Sequence, residues 1–260
     1  MVDEPVVARL RAAGCVFAED EARLLASSAR DHAELLAMVD RRVGGLPLEQ
    51  VIGWAEFCGL RILVDPGVFV PRRRTEFLVG QAARLTMPGA TAVDLCCGSG
   101  AIGAALASRV RLAAIYATDI DQVAVLCARR NLEPLGGQVY CGDLVEPLPA
   151  LLRGKIDVIT ANVPYVPSGE VPLLPAEARL HEARVALDGG ADGLDVARSI
   201  AAAAATWLTP GGHLLIEVSE RQVPAAVQAF ARSGLSTEVA RSDELAATVL
   251  IGTRAAGLGK

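Results

Sequence analysis

The chain has 260 residues, 52% hydrophobic but only 4% aromatic, so it can bury a sizeable core made mostly of Ala, Val and Leu. A net charge of −5 lacks the basic excess typical of duplex nucleic-acid binders, although Arg72-Arg73-Arg74 is a local basic patch. Six cysteines without a CxxC pair or His-rich spacing give no support to zinc or thioredoxin-type chemistry, and no metal site is expected.

Residues 6–43 read as helical, with apolar positions such as Leu25, Leu35, Leu36 and Val39 set among charged neighbours. The N-terminus MVDEPVVARL has no long apolar core of a secretory signal. Nor does any apolar run reach the roughly 20 residues of a membrane helix, so a reduced cytoplasm is the expected compartment. Gly44-Gly45 and Pro47 mark a boundary, which closes a helical region of residues 1–46 with two helices. Residues 54–58 and 60–64 read as a β-hairpin turning at Gly59, and a linker extends from it to residue 74.

From residue 75 to 260 helices and strands alternate. Helices are expected at 75–86, 101–109, 121–131, 193–208 and 222–233. Strands are expected at 91–95, 113–118, 138–141, 156–160 and 212–218, with a late antiparallel pair at 237–240 and 248–253. Alternation of this kind predicts right-handed βαβ units. The expected fold class is thus α/β, with a doubly wound, mostly parallel seven-stranded sheet, a small helical N-terminal region and a hairpin.

Chemistry-bearing residues recur at the ends of these strands, where open α/β sheets bind ligands. After the first core strand come Asp94 and then Gly98, Gly100 and Gly103, a G-x-G-x-x-G spacing that by itself also fits a dinucleotide site. Asp94 sits poorly beside a pyrophosphate and suits a cationic ligand, such as a sulfonium amino acid with its ammonium group. Asp119 ends the second strand, 19 residues after Gly100, where an acid accepts ribose hydroxyls. Asp143 follows the third strand and is placed to meet an adenine amino group. Asp119 and Asp121 also read as helix caps. After the fourth strand, Asn162-Val163-Pro164-Tyr165 offers the Asn162 side-chain oxygen and the Val163 carbonyl as acceptors for a planar NH2. Pro164 fixes the turn, and Tyr165 covers the planar face.

Taken together, Asp94–Gly103, Thr118-Asp119, Gly142-Asp143-Leu144 and Asn162–Tyr165 resemble the motifs of class I methyltransferases in their usual order. The segments Pro47–Gly53, Glu56-Phe57, Val64–Arg72, Ala186–Leu194 and Leu208–Gly212 are similar to blocks of one branch, the HemK family of protein-(glutamine-N5) methyltransferases. The resemblance implies S-adenosyl-L-methionine as cofactor, held by Asp94, Cys96, Cys97, Gly98, Ser99, Gly100, Asp119, Ile120, Asp143, Leu144 and Asn162. It implies a glutamine side chain as methyl acceptor, with Asn162, Val163, Pro164 and Tyr165 at the reaction. Arg72 and Thr75 would bind substrate, because they match the family's Pro-Arg-x-x-Thr-Glu block. The expected partner is a protein carrying the target glutamine, a peptide chain release factor in this family, with neither nucleic acid nor membrane implied.

Departures from the family pattern are Val163 for the first proline of Asn-Pro-Pro-Tyr, Cys96 for a glycine, Arg74 for an acid, and a shorter N-terminal region, the part expected to grip a protein substrate. Cys96-Cys97 reads as packing and not as redox chemistry. Glu182 and Arg184 match another block of the family and read equally as a local ion pair, and Trp54 and Phe57 read as hairpin core. Two further readings compete: a methyltransferase for exocyclic amino groups of RNA or DNA bases, which the same Asn-x-Pro-Tyr geometry can hold, and an inactive cofactor-binding module.

Overall fold

The structure, a computed structural model, describes residues 4–256. Three helices occupy the N-terminal stretch where two were expected: α1 (Glu4–Ala12), α2 (Ala18–Ser28) and α3 (His32–Val43). Gly14, in the left-handed region at φ +91°, follows α1. Asp31 starts α3 by accepting the Glu34 N–H at 2.8 Å. Their apolar stripes meet in a cluster of their own around Leu10, Leu25, Met38 and Val39, which Val51 of the short helix α4 (Leu48–Ile52) joins.

Strands β1 (Trp54–Phe57) and β2 (Leu60–Leu63) form the anticipated hairpin. Its two turn residues, Cys58 and Gly59, both have positive φ, as a type I′ turn requires.

The remaining elements are α5 (Glu76–Leu85), β3 (Thr91–Leu95), α6 (Ala101–Arg109), β4 (Ala114–Asp119), α7 (Gln122–Leu132), β5 (Gln138–Cys141), β6 (Ile156–Ala161), α8 (Ala176–His181), α9 (Asp195–Trp207), β7 (Leu208–Glu217), α10 (Val223–Arg232), β8 (Leu235–Ser242) and β9 (Ala247–Arg254). The sheet has seven strands in the order β5-β4-β3-β6-β7-β9-β8. The first five are mutually parallel, and β9 runs antiparallel to both its neighbours. Helices α5, α6 and α7 cover one face through residues such as Leu78, Ala105 and Leu132. The other face packs against α9 and α10 through Ile200, Ala204, Trp207 and Phe230.

Three boundaries differ from expectation. The late pair does pair, but β9 is interior and β8 is the edge, consistent with six successive buried residues from Ala247 to Gly252. Strand β7 starts at Leu208, and the Thr209–Gly212 turn is absorbed as an irregularity between the pairs Ile156↔Leu208 and Val158↔His213. Helix α8 was not anticipated, because none of its residues is buried and it carries no apolar period.

Strand β3 has β4 on one side and β6 on the other. The chain order reverses there, which opens a crevice at the carboxyl ends of the strands. Leu95 pairs with Thr118 and with Ala161, and Asp119 with Cys141, so the four strand ends come level around one spot. Among the described residues no helix is long and apolar enough to cross a membrane.

Candidate active site

The loop after β3 is built from residues with positive φ: Cys96 (53°), Gly98 (54°) and Gly100 (77°). Gly100 is also the N-cap of α6, and a Cβ there would stand 2.9 Å from Leu132 Cδ1. Two bonds hold the loop against β4. Cys97 N–H donates to the Thr118 carbonyl at 3.0 Å, and Gly98 N–H donates to Asp119 Oδ2 at 2.8 Å. The other Asp119 oxygen accepts the Asp121 N–H at 2.9 Å, while Asp121 itself caps α7 through Val123 N–H. Burial raises the Asp119 carboxyl above its ordinary range, opposed by these backbone donors.

Two adjoining cavities open here. One, of about 180 Å³, is lined by Thr118, Asp119, Ile120, Asp143 and Leu144, with Val185, Ala186 and Asp188 across it. The other, of about 40 Å³, is lined by Phe57, Phe69, Pro71, Thr75 and the Cys97–Ser99 turn. Cys96 and Asn162 line both, so they stand at the junction. Burial pushes the Cys96 and Cys97 thiols well up, which leaves them neutral and poorly nucleophilic.

Asp94 lies elsewhere than the ligand-facing position expected of it. It is 1% exposed and lines neither cavity. Its Oδ2 accepts the Gly103 N–H and its Oδ1 the Thr160 hydroxyl, each at 3.1 Å. It therefore ties β3 to α6 and β6 behind the loop. Burial pushes its carboxyl up to about 7 against those two bonds.

The turn after β6 carries two unpartnered acceptors. Asn162 Oδ1 is buried and has no hydrogen-bond partner. The Val163 carbonyl likewise accepts no bond from the described residues, while the Val163 side chain packs into the core. An unpaired buried acceptor costs roughly 1–3 kcal/mol, so a cavity wall with such an acceptor is complementary to an N–H donor. Thr75 Oγ1, in the same small cavity, also lacks a well-directed partner.

Around this turn the backbone is clamped. Val166 N–H donates to Leu187 O at 3.1 Å and Gly189 N–H returns to Val166 O at 2.8 Å. The Gln222 side chain donates to the carbonyls of Tyr165, Asp192 and Gly193. The Arg74 guanidinium stands over the Tyr165 ring, 5.3 Å from its centroid.

Other expected residues are arranged differently. Arg72 turns away from both cavities to Glu182, at 2.5 Å, and lies over the Phe69 ring. Glu182 thus pairs with Arg72 and not with Arg184, which takes Asp188 at 3.0 Å. Trp54 is half-buried beneath Arg61. Phe57 is core as expected and a cavity wall as well. Gln222 went unrecognised, although Ser219-x-x-Gln222 spells a capping box and the structure forms one. The six cysteines are all free.

Residues 59–191 match the family model of the methyltransferase small domain. A release factor glutamine methyltransferase from Geobacter sulfurreducens is 39% identical over 199 residues, covering 76% of this chain and 69% of the relative. One from Mycolicibacterium smegmatis is 36% identical over 232 residues, 87% of this chain and 82% of the relative. Among solved structures, a methyltransferase from Pyrococcus furiosus shares the fold with a TM-score of 0.57 at 18% identity, over 76% of this chain and 90% of that one.

Proposed function

The chain belongs to the release factor glutamine methyltransferase family, whose members are S-adenosylmethionine-dependent, and from that premise we propose that it methylates the side-chain amide nitrogen of a glutamine in a protein, specifically a peptide chain release factor. The observation that carries this reading is the buried, unpartnered Asn162 Oδ1 at the junction of the two cavities.

A primary amide brings two N–H donors in one plane. Asn162 Oδ1 and the Val163 carbonyl are two free acceptors on successive residues of the same turn. The residues lining the larger cavity fit the cofactor: Asp119 has lone pairs left for ribose hydroxyls, Asp143 is set for the adenine amino group, and Ile120 and Leu144 are apolar walls. When bound, S-adenosylmethionine supplies an activated methyl group on a sulfonium.

The protein's own task is alignment, because an amide lone pair is delocalised into its carbonyl and is a weak nucleophile. Holding both N–H bonds fixes where the nitrogen points, and such orientation is worth roughly 7–11 kcal/mol of barrier. The same two acceptors stabilise the positive charge that develops on nitrogen. Pro164 and the Gln222 clamp keep the turn from yielding, and the Tyr165 ring limits tilt of the amide plane.

Incubation with a purified release factor and S-adenosylmethionine, followed by peptide mass spectrometry, tests the proposal. One added methyl group on a glutamine is the expected result. A release factor left unmodified, with label instead incorporated into nuclease-sensitive material from a lysate, would reverse it.

A further inference from the structure

Six buried side-chain polar atoms lack a well-directed hydrogen-bond partner among the described residues; Trp54 Nε1 and Glu182 Oε2 stand apart, and the other four belong to residues that line the cavities around Asn162 and Tyr165. Asn162 Oδ1 belongs to the amide-holding turn. Three others, Arg74 Nε, Thr75 Oγ1 and Glu217 Oε2, belong to one side-chain group, in which Arg74 and Thr75 both approach the Glu217 carboxylate. Native structures leave few such groups unsatisfied, so a cluster of them calls for a ligand.

Arg74, Tyr165 and Glu217 line a separate cavity of about 410 Å³ at the carboxyl end of β7. The Glu217 side chain is 4% exposed, and Arg74 Nε lies 2.8 Å from its Oε1 without a well-directed hydrogen bond. The guanidinium makes no other hydrogen bond to the described residues. Elsewhere in this cavity Arg241 pairs with Glu220 at 2.9 Å and Glu220 also accepts the Thr248 hydroxyl, while the exposed Asp243 carboxylate and the Tyr165 hydroxyl take no partner among the described residues. Among the buried atoms of this cavity the free capacity is one carboxylate oxygen, Glu217 Oε2, beside the Arg74 guanidinium.

The two charges offset each other, so a neutral ligand with one donor and one acceptor suits this place better than an ion, which would leave a net charge half-buried. A peptide unit is such a ligand. Position agrees: Arg74 lines this cavity while its neighbour Thr75 lines the one that holds Asn162. The two cavities are thus reached by side chains of successive residues.

Resting on the glutamine reading, we propose that Glu217 and Arg74 form a peptide subsite. Glu217 Oε2 accepts the backbone N–H, and the Arg74 guanidinium donates to the backbone carbonyl, of the substrate residue next to the target glutamine. Both are substrate-binding groups that bring the glutamine side chain past Tyr165 to Asn162.

The test uses short peptides with a central glutamine, unmodified or with the backbone nitrogen of one flanking residue methylated, which removes that N–H. With the unaltered protein, methylation on one flank should lower kcat/KM about tenfold, mainly through KM. In Glu217→Ala the same peptide pair should differ by less than about twofold, since the acceptor is already gone. With an intact release factor, Glu217→Ala and Arg74→Lys should each raise KM about tenfold while S-adenosylmethionine affinity, measured by calorimetry, stays unchanged. The unaltered protein turning over all the peptides equally would overturn the subsite, as would an unchanged KM for release factor in both variants. If the unaltered protein methylates neither peptide nor release factor, the glutamine reading itself falls and the subsite with it.

Discussion

Gln222 Nε2 donates to the Tyr165 carbonyl at 2.9 Å, across 57 residues of sequence, so the aromatic end of the Asn162–Tyr165 turn is held from the start of α10. The same amide reaches the Asp192 and Gly193 carbonyls, and its oxygen accepts from Ser219. Gln222→Ala leaves these carbonyls without their donor, and each unpaired group costs roughly 1–3 kcal/mol. The melting temperature should fall by several degrees, at roughly 2–4 °C per kcal/mol for this size. Methyl transfer should drop more steeply than cofactor affinity. Thermal unfolding and steady-state kinetics on one preparation check both.

Asn162→Ala removes the buried acceptor and should lower methylation by about 100-fold or more, the scale of losing one aimed electrostatic partner. S-adenosylmethionine affinity should change by only a few fold. Calorimetry paired with the release factor assay reads the two apart; full turnover in the variant would sink the role given to Asn162.

Asp119→Ala removes both a cavity-lining carboxylate and the anchor of Gly98 N–H. Cofactor affinity should weaken by roughly tenfold to 100-fold, ahead of any effect on KM for protein substrate. An unaltered affinity would reject the ribose assignment.

The Asp94 carboxyl gives a pH signature. Its folded-state pKa of about 7 lies above the ordinary value of 3.8, so between those values the folded protein holds a proton that the unfolded chain releases. Stability from this group therefore falls as pH rises through that window and is lowest above it, by an amount on the order of 4 kcal/mol. Asp94→Asn, which stays neutral, should lose stability relative to the parent at pH 4 but gain on it by pH 8. Denaturant titrations at the two pH values, without cofactor, measure the difference.

Gly193 is fixed by sterics as well as by its φ of +77°. A Cβ there would lie 2.1 Å from the Tyr165 carbonyl oxygen, and a backbone atom has little room to move aside. Gly193→Ala should destabilise by roughly 2–4 kcal/mol and impair methylation by displacing Tyr165, with chemical denaturation and kinetics as the readouts.

Most of the sheet was legible because its strands are short apolar runs bounded by glycine and acid, and its helices carry a clear apolar face. Helix α8 was invisible because it buries nothing. The interior place of β9 could not be read from spacing, since a local pair such as 237–240 with 248–253 looks alike whichever member faces the next strand. At the site, Asp119, Asp143 and Asn162 were placed at strand ends by the pattern alone, and they do converge on one cavity. Asp94 was expected there for the same reason and Arg72 from its resemblance to a family block, yet both turn to protein partners instead.

What the sequence by itself determined is the order of chemistry along the polypeptide: glycine loop, then acid, acid and Asn162–Tyr165, each at the end of a strand in a parallel sheet. That order stems from local periodicity and turn chemistry, which nearby residues decide. Only the tertiary structure decided which polar atoms remain unpaired. Asn162 Oδ1 and Glu217 Oε2 lack partners while Asp94 and Arg72 have them, because hydrogen-bond satisfaction depends on residues distant in sequence brought within about 3 Å of one another.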